Sequence, residues 1–223
     1  VRTDFFDVFR PGDFDIVQTL REGGPEYPFV FIPRPVVEFN IFGGVDTSVN
    51  TVRTVCNSPW LLRRWLANGG DPRKGTAVYI GVERPTAGDL RGELRIPAEA
   101  LVVGLHQRPD DRIFSEIPLR AFLGVASRAR RDVRFALLAG GDAYKRQAKA
   151  LGLDVIFIPE SGEWPGISRF LNTLDIYGHG RLDGETYGIA IAEAMIHGLP
   201  IVSHKALVGS YNSHVETVGD GGR

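Results

Sequence analysis

The chain has 223 residues, of which 43% are hydrophobic and 24% are charged, enough apolar material for one good core or two modest ones. Its formal net charge is -1, which gives no basic excess of the kind that binds nucleic acid. No apolar run approaches the roughly 20 residues that a membrane-spanning helix needs. We therefore expect small-molecule ligands and no nucleic acid, while peripheral contact with a membrane stays open.

The single cysteine, Cys56, cannot form a disulfide within the chain, which favours a reducing cytoplasm. The chain starts at Val1 without a basic and apolar leader, and it stops in the turn-like run Gly219–Arg223. These ends predict an internal piece of a longer protein.

The first 80 residues predict part of an α/β domain. A short apolar run, Phe29–Ile32, stands between two prolines and predicts a buried strand. Residues 51–56 predict a second strand, followed by Ser58 as a helix cap, Pro59 in the first turn and an amphipathic helix. A third strand is predicted at Ala77–Ile80. Residues 81–97 hold Gly, Pro and charges without periodicity and predict an interdomain linker.

From residue 98 onward, predicted strands and helices alternate. The strands are expected at 101–104, 133–139, 155–158, 176–177 and 201–203, and the helices at 117–131, 142–151, 166–174 and 187–197. Such alternation predicts a Rossmann-like, doubly wound parallel sheet. Ligands of such sheets bind beyond the carboxyl ends of the strands. The loops after Val103, Ala139, Ile158, Tyr177 and Val202 are therefore the places to look for a site.

Two glutamates, Glu185 and Glu193, mark the segment that is most specific about chemistry. They lie in the run DGETYGIAIAEAM at Asp183–Met195, in which Thr186 predicts a helix cap. Free backbone amides at the start of a helix bind phosphate, and carboxylates accept hydrogen bonds from sugar hydroxyls. The arrangement predicts a nucleotide-sugar site. The alternative is that Glu185 is a first-turn acid and Glu193 a solvated helix residue.

The same segment, continued through Gly198–Val202, resembles the donor-binding signature of retaining GT-B glycosyltransferases of family 4, the group 1 type. A strand, a basic loop, a helix with Ala121–Phe122 and a strand ending in Gly140–Gly141 precede it in the same order as in that family. The resemblance implies a GT-B fold. Residues 98–223 would be most of the nucleotide-sugar-binding domain, and residues 1–80 would be part of the N-terminal acceptor-binding domain.

The resemblance also implies roles for individual residues. Glu185 would contact the transferred sugar as the catalytic carboxylate, and Glu193 would accept hydrogen bonds from the ribose. The amides of Thr186, Tyr187 and Gly188 would hold the diphosphate without a metal or other cofactor. The donor would be a nucleoside diphosphate sugar, and the acceptor an unknown carbohydrate or lipid.

A metal-free transferase needs cations for the leaving diphosphate. Family members usually carry an Arg directly after the first strand's Gly, and here Leu105 replaces it. Arg108 and Arg112 are the candidates in the same loop. The alternative is that both pair with Asp110 and Asp111 on a solvated loop.

These features predict a hexosyltransferase that acts with retention and needs no metal. Leu105 favours one rival, a non-catalytic sugar-nucleotide-binding domain. A second rival is another GT-B enzyme such as an epimerase or a phosphorylase. The five histidines have no zinc-ligand spacing, and His179 and Arg181 are open as further binding residues. No Gly-x-Gly-x-x-Gly fingerprint is present, which disfavours NAD.

Overall fold

The computed structural model describes residues 4–209 and 211–219, and the chain divides into two compact units between Ile80 and Gly81. Most of the predicted turn at 219–223 lies outside the described residues. Among the described helices, none is both long and apolar enough to cross a membrane.

The first unit contains a parallel sheet of four strands in the order β1-β2-β3-β4. Its elements are α1 Phe5–Val8, β1 Val17–Arg21, β2 Val36–Asn40, β3 Thr51–Cys56, α2 Pro59–Ala67 and β4 Gly75–Ala77, with 3-10 helices at Pro11–Asp13 and Phe29–Phe31. The predicted β3 is confirmed. So is the start of α2, where the Ser58 side chain accepts a hydrogen bond from the Leu61 amide and Pro59 is the first helical residue.

The predicted strand at Phe29–Ile32 is wrong, because this segment forms a 3-10 helix. Prolines on both sides cannot donate to a strand ladder, and the amides of Phe31 and Ile32 instead bond to carbonyls three residues back. Only Ile32 is buried, and Phe31 is exposed.

Strand β1 buries charge in the first unit. The Arg21 guanidinium donates to the Asp46 carboxylate at 2.8 Å and lies 3.7 Å from Glu38, with all three side chains buried. Burial raises the pKa of Glu38, although the charge of Arg21 works in the opposite direction. Thr51 also donates to Asp46, so polar side chains of three strands are joined beneath the surface. The nearby Cys56 thiol is buried as well, and burial raises its pKa to about 12.

The second unit is a doubly wound parallel sheet, as predicted. Its elements are β5 Leu101–His106, α3 Ile117–Ala126, β6 Val133–Leu138, α4 Asp142–Ala150, β7 Val155–Ile158, α5 Trp164–Thr173, β8 Ile176–Gly178, β9 Gly184–Glu185, α6 Ile189–Ile196, β10 Ile201–Val202, β11 Tyr211–Asn212 and α7 Ser213–Val218, with a 3-10 helix at Asp111–Ile113. The five-stranded sheet has the order β10-β8-β5-β6-β7, in which the first and fourth strands of the unit are neighbours. That reversal of strand order is the point at which doubly wound sheets bind ligands.

The core of the second unit packs against the central strand β5. Val102 and Leu105 of β5 are fully buried, together with Phe135 and Leu137 of β6 and Tyr177 of β8. Residues 81–97 contain no helix or strand. Within this segment the Thr86 and Leu90 amides donate to side chains of α5, and Leu94 and Ile96 pack on the core.

Two helices of the second unit are shorter than predicted. The helix expected to reach residue 131 ends at Ala126. The last long helix, α6, begins at Ile189 rather than Tyr187.

Candidate functional site

A cavity of about 210 Å³ opens at the carboxyl edge of the second sheet. Its wall combines residues that follow β5, β6 and β7 with the first turn of α6, among them His106, Arg108, Ala139, Glu160, Ile189 and Glu193. Three of the strand-end loops singled out from the sequence therefore meet at one place. A cation, two carboxylates and a helix N-terminus share this cavity, which is the chemistry that a phosphorylated sugar or nucleotide needs.

The start of α6 is set by a glycine rather than by the predicted threonine cap. Gly188 has φ 88°, a left-handed conformation that side chains rarely adopt, and it directly precedes the first helical residue. The first-turn amides of Ile189 and Ala190 have no acceptor in their own helix, and both residues line the cavity. These two residues were missed from the sequence, because the exact start of the helix depends on the conformation of Gly188.

The predicted phosphate-binding residues Thr186 and Tyr187 precede the helix. They lie in the segment between β9 and α6, where Tyr187 is buried and its carbonyl accepts a hydrogen bond from Thr217. Thr186 and Tyr187 thus lie three and two residues ahead of Ile189, the first helical residue, and Gly188 is adjacent to it.

Glu193 lies in α6, on the wall of the cavity. Its carboxylate oxygen Oε2 is 2.8 Å from Nε2 of His106, the last residue of β5. The two residues are 87 positions apart in sequence, so no local spacing predicts their contact. The solvated alternative for Glu193 does not hold, since only 15% of its side chain is exposed.

Glu185 lies in β9 and is held from two sides. Its Oε1 is 3.3 Å from Nε2 of His179, and its Oε2 is 3.5 Å from the Arg181 guanidinium. His179 in turn contacts the Ser203 hydroxyl through Nδ1 at 3.0 Å. Glu185 is not a first-turn acid of α6, because it lies four residues before Ile189, where the helix begins. It is a partly buried carboxylate in contact with a histidine and an arginine.

Arg181 forms a second, closer ion pair with Asp183. Its Nε and its second guanidinium nitrogen lie 2.6 Å and 2.9 Å from the two Asp183 oxygens. Burial opposes ionisation of Asp183, but the bonds from Arg181 and the charge of Arg108 keep the pKa of Asp183 below its ordinary value. Arg181 is therefore occupied by two acids, and Arg108 is close enough to act on one of them.

The two predicted cations of the β5 loop have different surroundings. Arg108 lines the cavity, and no ion pair to it occurs among the described residues. Arg112 makes a two-pronged contact with Asp110, at 3.0 Å and 2.8 Å, and 88% of its side chain is exposed. Hydrogen bonds from Arg112 lower the pKa of Asp110 to about 2. The solvated pairing considered for this loop thus describes Arg112, and it does not describe Arg108.

Leu105 occupies the position at which the resemblance to the family predicts an arginine. It lies inside β5, and its side chain is buried in the core of the second unit. It therefore offers no charge to the cavity.

The histidines of the second unit contact hydrogen-bonding partners. His214 is fully buried beside His179, donates toward the His204 carbonyl, and has its pKa lowered by burial. His197 contacts the Ser168 hydroxyl and the Glu193 carbonyl. Within the described part of the chain, no three His, Cys, Asp or Glu residues are grouped so that they could hold a metal ion.

A second cavity of about 190 Å³ lies between α3 and the strands β5, β8 and β10. Val103, Val125 and Val202 contribute to its largely apolar wall. Apart from histidines it has no basic lining residue, so it is a poor site for a phosphate.

Comparison with known proteins identifies the family of this chain. The family model described as Glycosyl transferases group 1 matches residues 101–221. No curated protein sequence matches the chain.

Solved structures give the fold. HepE of Anabaena, in complex with UDP and glucose, is 19% identical over 93% of this chain and 62% of its own, with a TM-score of 0.70. A glycosyltransferase of Rickettsia africae is 13% identical over 94% and 61% of the two chains, with a TM-score of 0.68. WaaG, a glycosyltransferase involved in lipopolysaccharide biosynthesis, is 13% identical over 82% and 62%, with a TM-score of 0.62.

This chain thus spans about three fifths of the length of these structures. Their shared architecture confirms the predicted GT-B fold. The family match covers more than half of the chain and includes all residues that line the cavity at the strand ends, together with both glutamates. The chain therefore belongs to the group 1 glycosyltransferases.

Proposed function

We propose that this chain carries the donor site of an enzyme that transfers a hexose from a nucleoside diphosphate sugar to an acceptor hydroxyl, with retention and without a metal. The observation that carries the proposal is the convergence of Arg108, the first-turn amides of α6 and Glu193 on one cavity at the strand-order reversal of the second sheet. In this proposal residues 98–223 bind the donor, residues 1–80 belong to the acceptor-binding domain, and residues 81–97 link them.

The diphosphate would lie at the N-terminus of α6. Amides of Ile189 and Ala190 point out of the first turn there, joined by the predicted contributors Thr186, Tyr187 and Gly188. Arg108 would neutralise charge on the leaving diphosphate as the glycosidic bond breaks. Arg112 stays a predicted contributor from the same loop.

The two glutamates would bind the two sugars of the donor. Glu193, on the cavity wall, would accept hydrogen bonds from the ribose hydroxyls. Glu185 would contact the transferred hexose and offset positive charge at its anomeric carbon. The contacts of Glu185 with His179 and Arg181 support this role, because they fix the carboxylate before a substrate arrives.

Calorimetric titration with ADP, GDP and UDP tests the donor site directly. We expect one of the three to bind, with weaker binding in the Glu193→Ala variant. Addition of EDTA should leave the affinity unchanged. Absence of binding by all three nucleotides near neutral pH would refute the proposal. Retention is tested separately, by proton NMR of the anomeric centre of the transferred sugar.

One observation favours a second candidate, a domain that binds sugar nucleotides without transferring the sugar. Leu105 is buried in the sheet, so the cavity lacks the arginine that the family usually supplies next to the strand. A protein that binds a nucleoside diphosphate with Arg108 alone, yet hydrolyses and transfers no sugar, would support this candidate. The carbohydrate or lipid acceptor, the membrane contact and the cytoplasmic location stay predictions from the sequence.

A further inference from the structure

We propose that His106 is a positioning residue that holds the Glu193 carboxylate in the orientation that binds the ribose. The inference rests on the proposed function, because it assigns to Glu193 a nucleotide contact. It adds a residue that lies outside the glutamate pair and the phosphate-binding loop.

The contact is short and shielded from water. Nε2 of His106 lies 2.8 Å from Oε2 of Glu193, and the side chains are only 10% and 15% exposed. A hydrogen bond to a carboxylate in such a site is stronger than one on the surface. It joins the central strand β5 to α6, and therefore fixes the carboxylate relative to the sheet.

The surroundings of the ring determine which nitrogen donates. A carboxylate only accepts hydrogen bonds, so Nε2 must carry the proton for this contact to form. Nδ1 is buried, and no partner for it occurs among the described residues. A proton on Nδ1 would have no acceptor, whereas the Nε2–H tautomer satisfies its donor at Glu193.

The ring is held in place by the core. Tyr177 packs edge-on against it with 5.6 Å between ring centres, and Phe170 does so at 6.3 Å. The Tyr177 hydroxyl also donates to the His106 carbonyl at 3.1 Å. All these groups belong to the sheet and α5, so the donor is oriented before a ligand binds.

One oxygen of Glu193 is thereby occupied and the other is left for the ligand. A carboxylate that is already held in one rotamer loses less freedom when it accepts from ribose hydroxyls. Without His106 the Glu193 side chain would sample other rotamers, and ribose binding would weaken. The phosphate contacts at Arg108 and at the start of α6 would be unaffected.

Two substitutions of His106 separate positioning from packing. His106→Leu places an apolar side chain of similar size at this position, and His106→Gln retains an N–H donor. The binding probe is whichever of ADP, GDP and UDP binds the unmodified 223-residue protein most tightly, together with its 2′,3′-dideoxy form. Calorimetry gives the affinity, and thermal unfolding reports on the fold.

We expect His106→Leu to weaken the ribonucleotide by about tenfold, the range of one hydrogen bond to a charged group, and the dideoxynucleotide by less than about twofold. His106→Gln should recover most of the loss. In a Glu193→Ala background His106→Leu should have no further effect. Equal losses for both nucleotides would show a merely structural role and overturn the inference.

The outcome for the unmodified protein separates the two proposals. If it binds none of the three nucleotides, the proposed function fails and the inference fails with it. If it binds one and His106→Leu binds equally well, the inference alone is overturned.

Discussion

Replacement of Arg108 by methionine should weaken nucleoside diphosphate binding, whereas the same replacement of Arg112 should not. Both changes remove one positive charge from one loop, so any long-range electrostatic effect is matched. Only Arg108 lines the cavity, whereas Arg112 is bound to Asp110 and 88% exposed. The two variants therefore differ in the position of the lost arginine and have the same net charge.

The expected size follows from the contact that is lost. A hydrogen bond between a cation and a phosphate contributes about 1.5–3 kcal/mol, which corresponds to roughly 10-fold to 100-fold in Kd. Asp183 and Asp110 lie near enough to feel the charge of Arg108, so part of that charge is already offset and we expect the lower end of the range. Loss of Arg112 should change Kd by less than about threefold, because solvent and salt screen exposed charges.

Calorimetry with ADP, GDP and UDP measures both variants, and the free nucleoside serves as a ligand without phosphate. Arg108→Met should not weaken binding of the free nucleoside, since the proposed partner of Arg108 is the phosphate. An Arg112→Met loss as large as that of Arg108→Met would refute the reasoning, and so would an equal loss for the nucleoside.

Other substitutions test the packing of each unit. Arg21→Met should lower the free energy of unfolding in urea by about 3–5 kcal/mol, because two carboxylates are left buried without their cation; the exposed Arg53→Met is the control and should change it little. The destabilisation caused by Arg21→Met should be smaller at about pH 5 than at about pH 8. Burial already raises the folded-state pKa of Glu38, and loss of the Arg21 charge raises it further. As the pH falls, Glu38 therefore takes up a proton in the folded state, and this removes the buried negative charge. Gly184→Ala should abolish nucleotide binding and lower the melting temperature. A Cβ at this position would lie 1.8 Å from the Tyr211 carbonyl oxygen, and the φ angle of Gly184, 74°, is one that residues with side chains rarely adopt. The control Gly92→Ala has open space around it, and an equal effect of the two alanines would contradict the steric argument.

Sequence periodicity succeeded where each element buries apolar residues. All five strands predicted in the second unit are present, because their interiors are apolar. Ligands of such sheets bind beyond the strand ends, and three of the five loops selected for that reason line the cavity.

The same approach failed for β1, which reverses the usual pattern. It buries Thr19 and Arg21 and leaves Leu20 exposed, so hydropathy alone gives no strand there. The charge is tolerated because Asp46 and Glu38 arrive from other parts of the chain. A local pattern contains no information about such a partner.

The sequence by itself therefore determined the parallel α/β class, the family and the segment that carries both glutamates, because each depends on residues close together along the chain. Only the tertiary structure decided that Arg108 faces the cavity while Arg112 pairs with Asp110, and that α6 begins after Gly188. It also brought His106 to Glu193 across 87 residues. These contacts depend on how strands and helices pack, and packing is settled by the whole fold rather than by neighbouring residues.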